Sequence, residues 1–254
     1  YYFLILHFPY FDKGNKFIRI KEVKIFWGKD YIITIGKSHW VVKRLFDTCK
    51  EELESGDESN PMTMKSSDIL LYNLLDRLMV ETYTLILRIG AEVDLINYDI
   101  FNKKAQRIIE LISITRRNII LLNTTFKPQL RLFHQFESGG IKGFVNHEEL
   151  DMEDYWGNIL DKYQKMFDLV EDYGELIEGL SKTFDSLQAN KTNEIMKVLT
   201  YFSTIMLPLT VVTGMYGMNV NLPFQSENWA FWGILGLMLG ITIGLLIFFQ
   251  RRLR

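Results

Sequence analysis

The sequence is short of the residues that build most catalytic and metal-binding centres. Its 254 residues include one cysteine, Cys49, and four histidines that show no metal-ligand spacing. A single cysteine excludes an intrachain disulfide and suits a reducing compartment. No glycine-rich phosphate loop is present, because Gly36-Lys37-Ser38 lacks the upstream glycine that a P-loop needs. We therefore predict that the chain is not an enzyme, holds no cofactor and binds no nucleic acid.

Charge is almost absent from two long stretches near the C-terminus. The first runs from about residue 195 to 216 and has no charge after Lys197, and the second runs from about 229 to 250 and has none. Each has about 20 residues, the length that an α-helix needs to cross a hydrocarbon core of about 30 Å. Residues 1–194 have the composition of a soluble region. We predict two transmembrane helices, joined by a loop over 217–228 and followed by a basic tail over 251–254.

The basic residues indicate how these helices cross the membrane. Lysines precede or begin the first span, arginines follow the second, and the loop over 217–228 has neither. Because positive residues stay on the cytoplasmic side, both termini are expected in the cytoplasm and the loop outside. Tyr1 is not an initiator methionine, so we expect the natural N-terminus to be missing. The predicted location is a plasma membrane, the inner membrane of a bacterium or archaeon.

The region before the spans has the pattern of an α+β domain with a long helix after it. An apolar run over residues 2–6, which Pro9 is expected to end, and β-rich segments over 17–27 and 31–35 predict strands. Helical periodicity predicts helices that begin at about Ser38, Met64, Asn102 and His147. The last helix shows no break before Pro208, inside the first span. We assign residues 1–146 to the α/β domain and 147–194 to a stalk helix.

Two of these helical segments have opposite charge. Residues 148–185 have a net charge of −9, from 12 acidic residues and 3 lysines, and residues 102–131 have a net charge of +6, from 7 basic residues and one glutamate. One interpretation is that the two helices are solvated and pair within or between subunits. The other is that an acidic stalk concentrates cations near a pore.

The first span has a polar face. Helical spacing places seven residues on one side of it: Asn193, Met196, Leu199, Ser203, Leu207, Thr210 and Gly214. Polar residues in a span usually face a partner helix or a wet cavity. The alternative is that Ser and Thr bond to their own helix and Gly serves close packing. Because one helix cannot enclose a conduit, a pore requires an oligomer with this face inward.

Several motifs resemble those of the CorA magnesium channels. Residues 192–200, Pro208-Leu209-Thr210 and the run Gly214-Met215-Tyr216-Gly217-Met218-Asn219 resemble the first span of that family and the loop after it. Residues 26–34 and 70–76 resemble its soluble domain. Gly-Met-Asn is a specific match because it lies directly between two spans. The related zinc-transporting branch tends to have Ile at the middle position, so Met218 favours magnesium.

The resemblance implies a fold, an assembly and site residues. The fold is a cytoplasmic α/β/α funnel domain with a stalk helix continuous with the first of two spans, and the assembly is a homopentamer. Gly217, Met218 and Asn219 would form the selectivity ring, with Asn219 hydrogen-bonding the waters of hydrated Mg²⁺, which loses water reluctantly. The polar face of the first span would line the pore, and Met196 and Leu199 would form its hydrophobic gate.

The resemblance also implies a regulatory site on the stalk, where this chain departs from the family. Alignment places Asn158 where the family has a magnesium-sensing acid, and Lys182 at a second position that is commonly acidic. Magnesium would then be sensed by the nearby acids Asp161, Asp168, Glu171 and Asp172.

The predicted function is passive Mg²⁺ influx driven by the membrane potential, with Co²⁺ and Ni²⁺ as further ions. One alternative is a Zn²⁺ or Co²⁺/Ni²⁺ transporter of the same superfamily. The other is a membrane-anchored helical scaffold or sensor that conducts nothing. The predicted partners are other copies of the chain, the lipid bilayer and the transported ion.

Overall fold

A computed structural model describes residues 1–11, 16–35, 39–55, 66–102, 104–145, 152–220 and 229–252. The elements in chain order are β1 (Tyr2–Phe11), β2 (Ile18–Trp27), β3 (Ile32–Ile35), α1 (Trp40–Ser55), α2 (Ser67–Asp99), α3 (Ala105–Glu137), α4 (Met152–Tyr216) and α5 (Ala230–Arg252). They form two compact units, Tyr1–Thr183 and Phe184–Arg254, and α4 begins in the first and ends in the second.

The three strands form an antiparallel sheet in the order β1-β2-β3. Alternation along the strands buries one face, because Leu6 pairs with Val23 and both side chains are almost fully buried. Helices α2 and α3 contact β1. On the opposite face, Phe3, Ile33 and Ile35 are about half exposed. The sheet therefore uses one face for the described core.

Strand β1 continues through Pro9 to Phe11, so the prediction that Pro9 ends it is wrong. Pro9 pairs with Ile20 at an edge of the described sheet. Two residues earlier, the amide of His7 donates to the side chain of Gln129 and therefore points away from β2. The nitrogen of Pro9 has the same orientation, since orientation alternates along a strand. Its missing N–H therefore removes no ladder hydrogen bond.

Local hydrogen bonds mark the starts of α2 and α3. Ser66 caps α2, since its Oγ accepts from the amide of Ile69 at 3.2 Å. Helix α3 begins at Ala105 rather than near Asn102, whose amide instead closes a turn on the carbonyl of Asp99 at 3.0 Å. The predicted starts at Ser38, Met64 and His147 lie outside the described residues.

Side-chain contacts show how α2, α3 and α4 run in the first unit. Tyr72 bonds to Asn158 and Asp76 to Lys162, so α2 and α4 run in the same direction. Tyr163 bonds to Gln129, and Glu178 pairs with Arg116, so α3 runs opposite to α4. The last pair shows that the basic and acidic segments do bond within one chain.

Helix α4 has 65 residues and is continuous through Pro208. This confirms the prediction of a stalk helix continuous with the first apolar segment. Proline removes one helical hydrogen bond, which is tolerated in a membrane helix where other groups satisfy the freed carbonyl. Both α4 and α5 contain an apolar window long enough to cross a membrane, and neither window is buried.

Asp68 holds together the start of α2 and the turn after α3. Its carboxylate is fully buried and accepts from the indole of Trp27 at 3.1 Å and from the amides of Phe144 and Val145 at 2.7 and 2.9 Å. A buried donor without a partner costs about 1–3 kcal/mol. We expect Asp68→Ala to lower the free energy of unfolding by about 3 kcal/mol or more, because it orphans three donors.

The measurement is thermal unfolding of the purified protein in detergent. Asp94→Ala is the matched control, because Asp94 is an exposed aspartate of the same helix. Equal melting temperatures for the two variants would contradict the role of Asp68.

Candidate functional site

The seven predicted face residues lie on one side of α4. At 100° per residue, the positions of Asn193, Met196, Leu199, Ser203, Leu207, Thr210 and Gly214 fall within about 120° of each other. All seven are exposed in the single chain, and Leu207 is 68% exposed. Protein atoms of the described residues therefore leave this face uncovered.

The face points away from α5. The rings of Tyr201 and Phe249 lie 4.5 Å apart, which places the contact between α4 and α5 on the side of Tyr201. Tyr201, Ile205 and Val212, which are less exposed than their neighbours, share that side. By helical rotation it is about 180° from the centre of the polar face. In the single chain α5 therefore packs behind α4 and leaves the polar face uncovered.

The polar groups of this face differ in how they are satisfied. The Thr210 hydroxyl donates to the carbonyl of Met206 at 2.8 Å, so it bonds to its own helix. Its oxygen can still accept. The side chains of Asn193 and Ser203 have no hydrogen-bond partner among the described residues. Ser203 lies inside the predicted span, where such a group is costly toward lipid and fits a wet surface better, whereas Asn193 precedes the span.

Gly217, Met218 and Asn219 follow the last residue of α4 directly. The amide of Gly217 donates to the carbonyl of Thr213 at 2.9 Å, and a Cβ at Gly217 would lie 3.0 Å from that oxygen. Glycine therefore permits the close turn that ends the helix. The Asn219 side chain is exposed and has no partner in the described chain. These three residues form the tip, which lies at the C-terminus of α4, where the helix dipole is negative and favours cations.

Asn158 on the stalk part of α4 is tied to α2. Its Nδ2 donates to the Tyr72 hydroxyl at 3.2 Å, and one turn later Lys162 bonds to Asp76. Burial raises the pKa of the Tyr72 hydroxyl; the charge of Asp76 adds to this, and Lys162 opposes it. The partners Tyr72, Asp76 and Lys162 were missed by sequence reasoning. Nothing in the local pattern of either helix indicates a contact across 86 residues of chain.

The other predicted sensing acids, Asp161, Asp168, Glu171 and Asp172, are all exposed on α4. Asp168 and Asp172 line a cleft of about 540 Å³ between α2 and α4, beside Lys162 and Lys165. In the described ranges, no three His, Cys, Asp or Glu side chains are grouped so that they could hold a metal ion. These acids therefore do not form a complete metal site within one chain.

The chain is similar in sequence to known metal ion transport proteins. The family described as CorA-like Mg²⁺ transporter protein matches residues 1–251. The cobalt/magnesium transport protein CorA of Thermotoga maritima is 25% identical over 253 residues, which cover 99% of this chain and 70% of that protein. A putative metal ion transporter of Bacillus subtilis, YfjQ, is 25% identical over 257 residues, covering 99% of this chain and 75% of that protein.

The fold also matches a solved structure. The CorA magnesium transporter from Methanocaldococcus jannaschii superimposes with a TM-score of 0.78 at 19% identity, over 98% of this chain and 75% of that one. This likeness confirms the predicted fold class, a soluble α/β domain followed by a long helix and a terminal apolar helix. The family consists of transporters, which agrees with the prediction that the chain is not an enzyme. The chain is a member of the CorA-like family of Mg²⁺ transporter proteins.

Proposed function

We propose that the chain forms a homopentameric channel for passive Mg²⁺ influx across the plasma membrane, the inner membrane of a bacterium or archaeon. Residues 1–146 and the stalk over 147–194 would lie in the cytoplasm, with both termini. The spans would cover 195–216 and 229–250, with the loop over 217–228 outside and the basic tail over 251–254 inside. The observation that carries this proposal is the uncovered polar face of α4, which lies opposite α5 and ends at Gly217-Met218-Asn219.

The polar face supports conduction rather than a non-conducting scaffold. A lipid-facing or purely structural span would have an apolar residue at Ser203, since unsatisfied polar groups are costly in hydrocarbon. With the α4 helices of several subunits side by side, this face would surround a water-filled path. The resemblance to CorA implies five subunits, and the name of the Thermotoga relative supports Co²⁺ as a second ion. Ni²⁺ is included because of its similar charge and hydration.

The tip provides groups suited to an ion that keeps its water. Mg²⁺ prefers six oxygen ligands and retains several waters when bound. A ring of Asn219 carboxamide oxygens would accept hydrogen bonds from those waters. The C-terminal carbonyls of α4 add negative potential at the same place. Deeper in the path, Met196 and Leu199 would form an apolar constriction that closes by dewetting.

The driving force is the membrane potential. Moving a divalent cation inward through 100 mV releases about 4.6 kcal/mol, twice the value for one charge. No nucleotide is needed for this direction of transport.

The test is ion uptake into proteoliposomes that contain a magnesium-sensitive dye, together with the subunit number from native mass spectrometry. We expect uptake of Mg²⁺ above that of empty liposomes, uptake of Co²⁺, and a mass of five subunits. Uptake of Zn²⁺ but not Mg²⁺ would favour the zinc-transporting alternative. The absence of any ion uptake would favour the scaffold.

Regulation by cytosolic Mg²⁺ is proposed to be weak in this chain. An ion held between subunits needs carboxylates for charge and oxygen ligands. Asn158 supplies an oxygen without charge and is bonded to Tyr72. The negative charge of the adjacent Asp76 is already paired with Lys162. We expect Asn158→Asp to close the channel at a lower cytosolic Mg²⁺ concentration than the wild type, because it adds the missing charge.

The measurement is flux against Mg²⁺ concentration on the stalk side of the membrane. Gln106→Glu is the matched control, since it adds the same charge at an exposed position of α3, away from the acids of α4. If Asn158→Asp and Gln106→Glu both give the wild-type inhibition curve, magnesium sensing lies elsewhere. Asp161, Asp168, Glu171 and Asp172 would then be the next positions to substitute.

A further inference from the structure

The start of α1 buries a histidine whose ring is only partly satisfied. His39, which directly precedes α1, is 3% exposed. Its Nδ1 accepts from the amide of Val41 at 3.5 Å, and its carbonyl accepts from the amide of Val42 at 2.9 Å. Among the described residues, its Nε2 is the one buried side-chain nitrogen or oxygen without a hydrogen-bond partner. An unsatisfied buried group in a folded protein requires an explanation.

The bond to Val41 indicates that the ring is neutral. Because Nδ1 accepts a hydrogen bond, it has no proton, and the single proton of the neutral ring is on Nε2. A second proton would enter at Nδ1 and would face the N–H of Val41, one donor against another. It would also place a positive charge at the N-terminus of α1, where the helix dipole is already positive. The neutral ring fits this position and the protonated ring does not.

The strands and α1 surround His39 with positive charge. Lys21 of β2 acts on the ring, and from β1 the neighbouring group is the uncharged backbone of Pro9. On α1 the nearest charged side chains are Lys43 and Arg44, and both are exposed. These elements therefore offer the ring no carboxylate.

Helix α2 adds one residue of each sign on this side of α1. Arg77 and Glu81 line a cleft of about 310 Å³ together with Trp40 and Arg44. Neither Glu81 nor any other carboxylate in the described part of the chain forms an ion pair with His39. A proton on the buried ring would therefore have no negative partner.

The surroundings make the buried ring harder to protonate than a free one. Burial lowers the pKa of His39; the backbone of Pro9 opposes this effect, and the charge of Lys21 adds to it. The ordinary pKa of histidine is about 6.5, so a released ring binds a proton more readily than the buried ring. The stability that the neutral ring provides is complete above about pH 6.5 and is lost as the pH falls below that value.

We propose that protonation of His39 releases the first two turns of α1, so that the first unit loosens locally when the surrounding pH falls below about 6.5. Val41, Val42 and Leu45 of these turns are almost fully buried, and their release exposes an apolar surface. Every residue in this proposal lies in the unit Tyr1–Thr183. The proposal therefore does not depend on ion transport or on the placement of the two spans.

The test is hydrogen exchange of the backbone amides, measured by mass spectrometry on the full chain in detergent. Protection factors correct for the chemical exchange rate at each pH and report local opening. One proton taken up on opening raises the opening equilibrium by up to about tenfold per pH unit. We expect the protection of the α1 amides to fall by up to about tenfold between about pH 6.5 and about pH 5.5, while the protection of α3 stays constant.

His39→Asn should remove this pH dependence. Asparagine does not titrate, and its side chain can accept from the amides at the start of a helix. His134→Asn is the matched control, because His134 is an exposed histidine on α3 of the same unit. This control should lose protection in α1 as the wild type does.

Each of three other results would overturn the proposal. Constant protection of the α1 amides over this pH range would show that the start of α1 is not released. An equal loss in the wild type and in His39→Asn would assign the release to another group. An equal loss in α1, α2 and α3 would show that the whole unit unfolds rather than one helix.

A second measurement on the wild type applies if His39→Asn does not fold. Exchange of the imidazole C2 hydrogen, followed by mass spectrometry, gives the titration of each histidine separately. We expect the ring of His39 to exchange slowly and to titrate at a lower pH than free histidine. Titration of His39 at the pH of free histidine would contradict the proposal.

Discussion

Asn219→Ala is expected to reduce Mg²⁺ uptake to the level of empty liposomes while the oligomer stays intact. The side chain of Asn219 is exposed at the tip that follows α4 and has no partner among the described residues. Alanine removes the carboxamide oxygens that would accept hydrogen bonds from the waters of the ion. Because Mg²⁺ gives up its water reluctantly, hydrogen bonds to those waters are what would hold the ion at this position. The measurement is dye-detected uptake into proteoliposomes.

Val220→Ala is the matched control for this variant. Val220 is the next residue, is 55% exposed and has an apolar side chain. It should retain wild-type uptake. Native mass spectrometry of both variants checks the assembly. Normal uptake through Asn219→Ala would show that this asparagine does not select the ion.

Leu199→Asp is expected to raise basal Mg²⁺ flux above that of the wild type. Leu199 is 55% exposed on the polar face of α4, and its charged replacement would hydrate the apolar constriction that it forms with Met196. A hydrated constriction no longer closes by dewetting. The measurement is flux at a Mg²⁺ concentration on the stalk side that closes the wild type.

Val198→Asp tests whether the face matters rather than the charge. Val198 is the preceding residue and is 67% exposed, and it points about 100° away from Leu199 around α4. Its flux should match that of the wild type. Equal flux from Leu199→Asp, Val198→Asp and wild type under these conditions would contradict a gate at Met196 and Leu199.

The spacing of apolar, charged and proline residues was enough to predict the long helix and its polar face. The absence of charge between residues 198 and 216 and the lack of an earlier proline predicted one continuous helix, which α4 confirms. Spacing also predicted that Asn193 to Gly214 share one face of a helix. Pro9 was misjudged because its effect depends on the direction of its nitrogen, which only the pairing of β1 with β2 determines.

The contacts that position the candidate site were beyond sequence reasoning. The Gln129 side chain accepts from the amide of His7 at 2.6 Å and donates to its carbonyl at 3.1 Å, across 122 residues of chain. Asn158 meets Tyr72 across 86 residues. Such pairs depend on how whole helices and strands pack together. The sequence around either residue does not indicate which distant residue it will contact. The position of α5 behind the polar face likewise emerged only from the contact between Tyr201 and Phe249.

The selectivity ring, the gate and the regulatory residues stay predictions, because their roles depend on several copies of the chain. Within one chain, Asn219 is an exposed amide and Leu199 an exposed leucine. Their proposed chemistry requires identical neighbours around a common axis.

The most direct measurement is the rate of Mg²⁺ uptake into proteoliposomes as a function of an imposed membrane potential. A potassium gradient with valinomycin sets the potential, and neither a nucleotide nor a proton gradient is supplied. With equal Mg²⁺ concentrations on both sides, a passive channel predicts that uptake rises steeply as the interior becomes more negative and is replaced by net efflux when the interior is positive. Uptake that does not change with the potential, or that requires a nucleotide, would contradict a passive, potential-driven Mg²⁺ channel.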